Sequence, residues 1–361
     1  MSEKAILVGT GKKYTSDEEI IDSLNELKAL LETAGGKTIA YLTQKLERSV
    51  SATVIGSGKV EELREHIIDR EADLVVFDCE LSPSQLRNLE TKLDCKVLDR
   101  TQVILDIFAL HAQTREGKLQ VELAQLSYLL PRLIGLGKTL SRLGGGIGTR
   151  GPGETKLEVQ RRRIRERISR LKKELEQVEK QRSVRRSLRI DRKVPIVSVA
   201  GYTNAGKSSL IKSLSKDENI YTKNALFATL NPVSRRIHIG QGKEIIMNDT
   251  VGFIKKLPHT IVEAFHATLE EIVFSDFIIL LVDGNDTNPE SKIEECQKVL
   301  KEIGADEINS AIVFNKEDLI DEEKVEKLKI TYPDALFVSA KKGTGLNELS
   351  EYLYEKLMAD R

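Results

Sequence analysis

Residues 194–216 read VPIVSVAGYTNAGKSSLIKSLSK. The apolar run from Val194 to Ala200 has strand length, the stretch after Lys207 is patterned as a helix, and between them Gly201-Tyr202-Thr203-Asn204-Ala205-Gly206-Lys207-Ser208 satisfies G-x-x-x-x-G-K-[ST]. This context is the one that the pattern needs to mean a phosphate-binding loop. The backbone N–H groups of the loop and of the helix N-terminus, with Ser209 following, face the phosphates. Lys207 reaches their outer oxygens, and the Ser208 hydroxyl joins a Mg²⁺ shell.

Three later elements select the base. Asp249-Thr250-Val251-Gly252 ends the apolar run KEIIMN and has the D-x-x-G form, in which the carboxylate holds Mg²⁺ through water and the glycine N–H senses a γ-phosphate. Asn315-Lys316-Glu317-Asp318 follows SAIVF and has the N-K-x-D form. A carboxylate at Asp318 accepts from two neighbouring donors on guanine, a pair that adenine lacks, so adenine would leave a charge unsatisfied. Ser339-Ala340-Lys341 follows ALFV, where the Ala340 N–H can meet guanine O6. These segments predict a GTP/GDP site, with Lys207 and Gly252 acting on the reacting phosphate.

A second glycine loop competes for the nucleotide. Gly146, Gly148 and Gly151 spell G-x-G-x-x-G, but a dinucleotide fingerprint requires a strand before the loop and a helix after it. Here leucines at 119, 123, 126, 130 and 133 precede the loop. The same rhythm returns after it at Leu157, Ile164, Ile168, Leu171, Leu175 and Val178. Two such seams predict an antiparallel helical hairpin with the glycines at its tip, and Pro131 should kink or end the first helix. Upstream, short apolar runs alternate with helical patterns through KVLD at Lys96–Asp99, which implies a small parallel α/β domain. No second phosphate loop is read there, since GSGK at 56–59 lacks both the leading glycine spacing and a trailing Ser or Thr. After Val194 the alternation resumes, with SRRIHIG and KEIIMN as an antiparallel pair. The expected architecture is α/β in three parts: a small parallel α/β domain over 1–100, the hairpin over 101–192 and a Ras-like P-loop GTPase domain over 193–361.

Composition narrows the function classes. The 361 residues carry 56 Lys and Arg against 56 Asp and Glu, a balance that conceals an asymmetry. Residues 156–193 alone hold 16 basic against 6 acidic side chains, an excess of ten, so the remainder of the chain is ten negative. Such a segment seeks phosphate or an acidic partner. The three cysteines are scattered and the five histidines have no metal-ligand spacing, which argues against disulfides and zinc. No apolar run reaches membrane-spanning length and the opening residues lack a signal pattern. The expectation is a cytosolic monomer.

With these residues in view, the chain resembles the HflX family of ribosome-associated GTPases along essentially its whole length. GGGIGTRGPGETKLE is close to that family's glycine-rich signature, and LQVELAQLSYLLPRL and LFATLNPVSR also match family segments. The resemblance implies that Thr229 is the switch I threonine that ligates Mg²⁺, and that the partner is the large ribosomal subunit and its rRNA. It also implies an N-terminal region, hairpin included, set against RNA. Arg150, Arg161, Arg162 and Arg163 are then candidate phosphate contacts. Asn204 matches an asparagine that binds K⁺ in related potassium-dependent GTPases. Gln160 and Asn231 depart from the aspartates that are common in the family.

One catalytic element is missing. Ras-like GTPases place a water-orienting glutamine directly after D-x-x-G, and this chain has Phe253. Slow intrinsic hydrolysis, accelerated by a partner, is therefore expected. His259 nearby is read as a surface or packing residue. The rival reading is a regulatory GTPase whose hairpin docks a protein effector without RNA.

Overall fold

The computed structural model describes residues 2–133, 152–190, 194–215, 227, 233–256, 269 and 271–358. The glycine loop around Gly148, and with it Arg150, Thr229, Asn231 and His259, lies outside the described residues. The chain forms two compact units, built mainly on Met1–Leu110 with Lys118–Glu176 and on Gln177–Leu257 with Phe265–Arg361.

In the first unit, strands β1 (Lys4–Lys12), β2 (Lys37–Leu46), β3 (Leu74–Phe77) and β4 (Lys96–Asp99) form a parallel sheet in the order β2-β1-β3-β4. Leu7 at its centre stands opposite Tyr41 on one side and Val76 on the other. The crossovers are α1 (Asp17–Thr33), α2 (Ser57–Arg70) and α3 (Pro83–Leu93). Two of their starts are chemically marked. Ser16 caps α1 by accepting from Glu19 N–H, and Ser82 with Gln85 forms a capping box on α3 with a proline at the first turn. Strand β3 reads LVVF with every residue buried, as a central parallel strand must.

Helix α4 (Arg100–His111) follows β4 directly and buries Val103, Ile104, Leu105, Ile107 and Phe108. It belongs to neither leucine seam, which is why the heptad reading does not separate it. Helices α5 (Arg115–Arg132) and α6 (Pro152–Ile190) then pack through Leu119, Leu123, Leu126, Ile168, Leu171 and Leu175, the positions that the two seams mark. Arg167 bridges them by donating twice to Glu122, at 2.7 Å each. Helix α5 also buries a second face, Gln120, Val121, Ala124 and Tyr128, so it carries two apolar stripes rather than one. Pro131 sits in its last turn.

Leu171 is fully buried at the seam. Because the cluster is small and able to collapse partly, Leu171→Ala should lower the unfolding free energy by about 2–3 kcal/mol. Urea melts of the two proteins measure the difference.

The second unit carries a six-stranded sheet in the order β10-β9-β8-β5-β7-β6. Its strands are β5 (Ile196–Gly201), β6 (Val233–Ile239), β7 (Lys243–Asp249), β8 (Phe277–Asp283), β9 (Ser310–Asn315) and β10 (Leu336–Phe337). Among these strands only β6 is antiparallel, paired with β7 from Val233↔Asp249 to Ile239↔Lys243. Helices α7 (Lys207–Ser215), α8 (Pro289–Glu302), α9 (Glu322–Thr331) and α10 (Leu346–Met358) cover the sheet. One core joins Val197, Val199, Leu210, Ile245, Met247, Leu281, Val313, Leu349 and Leu353. The order reverses beside β5, so the ends of β5, β7, β8 and β9 open onto the edge where α/β folds bind ligands.

Candidate functional site: a phosphate loop and a base-recognition edge

Strand β5 delivers the glycine loop, and α7 leaves it. Gly201 has φ +154°, and a Cβ there would fall 2.2 Å from the Leu281 carbonyl oxygen of β8, so the neighbouring strand passes only because the position is glycine. Gly206 has φ +93°, and a Cβ on it would fall 2.2 Å from Asn315 Nδ2. Asn204 is also left-handed, at φ 63°, and exposed. Thr203 and Ala205 on either side of it are buried.

Lys207 is buried and curls back over the loop, where its Nζ donates to the Gly201 carbonyl at 3.1 Å and the Tyr202 carbonyl at 2.8 Å. Burial pulls its pKa below the ordinary lysine value, and the nearby Asp249 carboxylate opposes that pull. A phosphate beside the ammonium would oppose it further. The Ser208 hydroxyl donates to Asp249 Oδ2 at 2.6 Å. A hydroxyl and a carboxylate side by side suit magnesium, which takes few protein ligands and keeps waters and phosphate oxygens for the rest. Among the described residues no cluster of three or more His, Cys, Asp or Glu could hold a metal by itself.

The base-recognition elements meet the loop through Asn315. Its Nδ2 donates to the Ala205 carbonyl at 2.8 Å, and its Oδ1 accepts from Ala340 N–H at 3.0 Å. One buried amide thereby ties together the glycine loop, N-K-x-D and S-A-K, which lie far apart in the chain. Lys316 Nζ pairs with Asp283 Oδ2 at 2.5 Å. Ser339 Oγ donates to Asp318 Oδ1 at 2.5 Å, and Ser339 Oγ accepts from Lys342 N–H at 3.1 Å. The Ser339 hydroxyl holds the Asp318 carboxyl below its usual pKa, so it stands ionised as an acceptor for adjacent N–H donors on a base. Lys341 is exposed beside it.

Gly252 sits against the loop, where a Cβ would lie 2.8 Å from Thr203 Cα and 2.9 Å from Lys207 Nζ. Phe253 is 2% exposed, and its backbone pairs with Gly201 and Thr203. Of the arginines singled out for RNA, Arg162 and Arg163 are exposed on α6, whereas Arg161 is half-buried.

The sequence motifs do not single out Asp283, although it closes the apolar run FIILLVD at a strand end, the position where functional carboxylates collect. Nor do they give Tyr202 a side-chain role.

Three family models match in tandem: a GTP-binding GTPase N-terminal region over 21–109, a GTP-binding GTPase middle region over 111–189, and a 50S ribosome-binding GTPase over 196–316. The GTPase HflX of Caldanaerobacter subterraneus subsp. tengcongensis is 47% identical over 358 residues, spanning 99% of this chain and 81% of that one. The GTPase HflX of Escherichia coli is 41% identical over 360 residues, 99% of this chain and 84% of that one. The chain belongs to the HflX GTPase family. Among solved structures, the crystal structure of an SsGBP and GDP complex is similar with a TM-score of 0.50 and 26% identity, covering 99% of each chain. Among the described residues no helix is long and apolar enough to cross a membrane.

Proposed function

We propose that this HflX-family chain hydrolyses GTP to GDP and phosphate as a nucleotide-switched factor on the large ribosomal subunit. The observation that carries the nucleotide reading is the Asn315 amide, which holds the phosphate loop and both base-recognition elements in one hydrogen-bonded unit. In this reading the loop amides from Asn204 to Ser208 cradle the phosphates and Lys207 moves from two carbonyls onto the β and γ oxygens. Asp318 accepts from guanine, while Ala340 N–H is shared between Asn315 and the guanine carbonyl. Magnesium, when bound by Ser208 and Thr229 and through water by Asp249, supplies neutralisation of charge on the β and γ oxygens. Water attacks the γ-phosphorus as its bond to the β–γ bridging oxygen breaks; GDP leaves with that electron pair, the γ-phosphoryl group becomes inorganic phosphate, and the proton lost by the water passes to phosphate oxygen or solvent. Phe253 offers that water no hydrogen bond, so intrinsic turnover is slow and a partner accelerates it.

The ribosomal part rests on two supports. The model matching 196–316 describes a 50S ribosome-binding GTPase, and α6 presents Arg162, Arg163, Arg165, Arg170, Lys172 and Lys173 to solvent. Basic residues on one long helix suit the phosphates of rRNA. Thr229 and Gly252 would sense the γ-phosphate, and its loss would release both switches.

Sedimentation with purified large subunits tests this reading. Co-sedimentation is expected with a non-hydrolysable GTP analogue, to weaken with GDP and with rising salt, and to fail for Asp318→Asn. Absence of binding in every nucleotide state would overturn the ribosomal reading and favour a protein effector on the hairpin. Equal affinity of Asp318→Asn for GTP would overturn the base assignment.

A further inference from the structure

The segment Asp249–Lys255 leaves β7 across the phosphate loop; Ser208 holds its start at Asp249 and Thr250 Oγ1 donates to the Val199 carbonyl at 2.7 Å, and three further hydrogen bonds fasten its far end at Phe253 and Lys255. Two run between backbones: Phe253 N–H to the Gly201 carbonyl at 3.0 Å, and Thr203 N–H to the Phe253 carbonyl at 2.8 Å. The third involves a side chain. Lys255 N–H donates to the phenol oxygen of Tyr202 at 2.6 Å.

Tyr202 is itself held. Its side chain is buried, with the residue 7% exposed, and Lys292 Nζ on α8 stands 3.8 Å from the ring centroid. A cation over the ring face restrains a ring that could otherwise swing with the segment it supports. Gly252 lies between Asp249, held by Ser208, and the bonds at Phe253 and Lys255, and it packs against Thr203 and the Lys207 ammonium.

The geometry points to Tyr202 as a positioning residue for GTP hydrolysis: through Lys255 it fixes Gly252 against Lys207, so that the γ-phosphate meets a pre-placed N–H. This rests on the assignment of Lys207 and Gly252 to the γ-phosphate made above. Where a glutamine follows the glycine, a side chain helps to order the reacting water. Here that position is Phe253, buried and without a polar group. Order at the reacting end must then come from whatever holds the segment's backbone, and a donor placed before the reaction costs no reorganisation during it. In this role the phenol acts through Lys255.

Single-turnover hydrolysis and GDP affinity, measured on the full chain, provide the test. Tyr202→Phe keeps the ring and its cation and removes the hydroxyl, and with it the acceptor for Lys255 N–H. We expect the rate to fall roughly three- to tenfold, the worth of one hydrogen bond realised at the reacting end. GDP affinity should stay within about twofold, because GDP has no γ-phosphate for Gly252 to meet. Lys292→Met should give a smaller fall in the same direction. An unchanged or increased rate in Tyr202→Phe overturns the positioning role, as does a loss of GDP affinity in step with the rate. Lys207→Ala separates this inference from the reading beneath it. If Lys207→Ala binds GTP like the parent, the site assignment fails; if it loses GTP while Tyr202→Phe turns over normally, the positioning role alone fails.

Discussion

Gly206→Ala is expected to raise the dissociation constants for GDP and GTP by about two to three orders of magnitude. Two costs coincide at this residue. Its φ of +93° lies where alanine is strained by about 1–3 kcal/mol. The added Cβ would also stand 2.2 Å from Asn315 Nδ2, a distance that cannot be kept. If Asn315 gives way, it releases the Ala205 carbonyl and the Ala340 N–H, each bond contributing about 0.5–1.5 kcal/mol net. The lesion therefore runs from the phosphate loop to the base-recognition edge, and binding of both nucleotides fails together. Gly242→Ala separates strain from collision. Gly242 has φ +71° but nothing within 4 Å of where a Cβ would stand, so alanine there should cost about 1 kcal/mol of stability and leave affinity unchanged. Calorimetric titration of both variants with GDP is the measurement. Parent-like affinity in Gly206→Ala would show that Asn315 can move without consequence.

This pair of glycines also marks where the sequence is legible. The loop, D-x-x-G, N-K-x-D and S-A-K can each be read because their chemistry is local: a turn that needs glycine, a strand end, a side chain that meets one group of the nucleotide. The seams at Leu119, Leu123, Ile168 and Leu171 can be read because helical burial is periodic. What joins the motifs is not periodic. Nothing near Asn315 in the chain announces that its amide spans Ala205 and Ala340, and nothing near Tyr202 announces Lys255 or Lys292. Those pairings depend on how crossover helices bring the strand ends together. The same limit applies to α5, where Gln120, Val121, Ala124 and Tyr128 form a second buried face inside a pattern dominated by leucine.

The first unit holds the strongest case of such hidden pairing. Arg100→Met should destabilise that unit by about 3–5 kcal/mol, the cost of stranding buried charge. Arg100 is 1% exposed; it donates from one nitrogen to Asp78 Oδ1 and from another to Glu26 Oε2, at 2.7 Å each, and Ser23 Oγ donates to Asp78 Oδ2 at 2.5 Å. Burial alone would lower the pKa of the guanidinium, yet Glu26 and Asp78 outweigh it and raise the value, so the guanidinium stays charged between the two carboxylates. Methionine keeps much of the length of the side chain and leaves both carboxylates without their cation. Asp78 directly follows β3 at the edge where a parallel sheet would otherwise offer a ligand its carboxylate, so this site is committed to the protein's own arginine. Next to it Asp99 accepts from Leu81 N–H, Gln102 N–H, the Tyr128 hydroxyl and Arg132, which fastens α5 to the end of β4. Calorimetry of the full chain in GDP should show the transition that GDP does not shift moving down in Arg100→Met. Adding Asp78→Asn and Glu26→Gln should recover most of the loss, because the two carboxylate charges that faced Arg100 are then gone with it. If the triple variant stays as unstable as the single one, packing of the arginine stem, and not its charge, is what holds this end of the sheet.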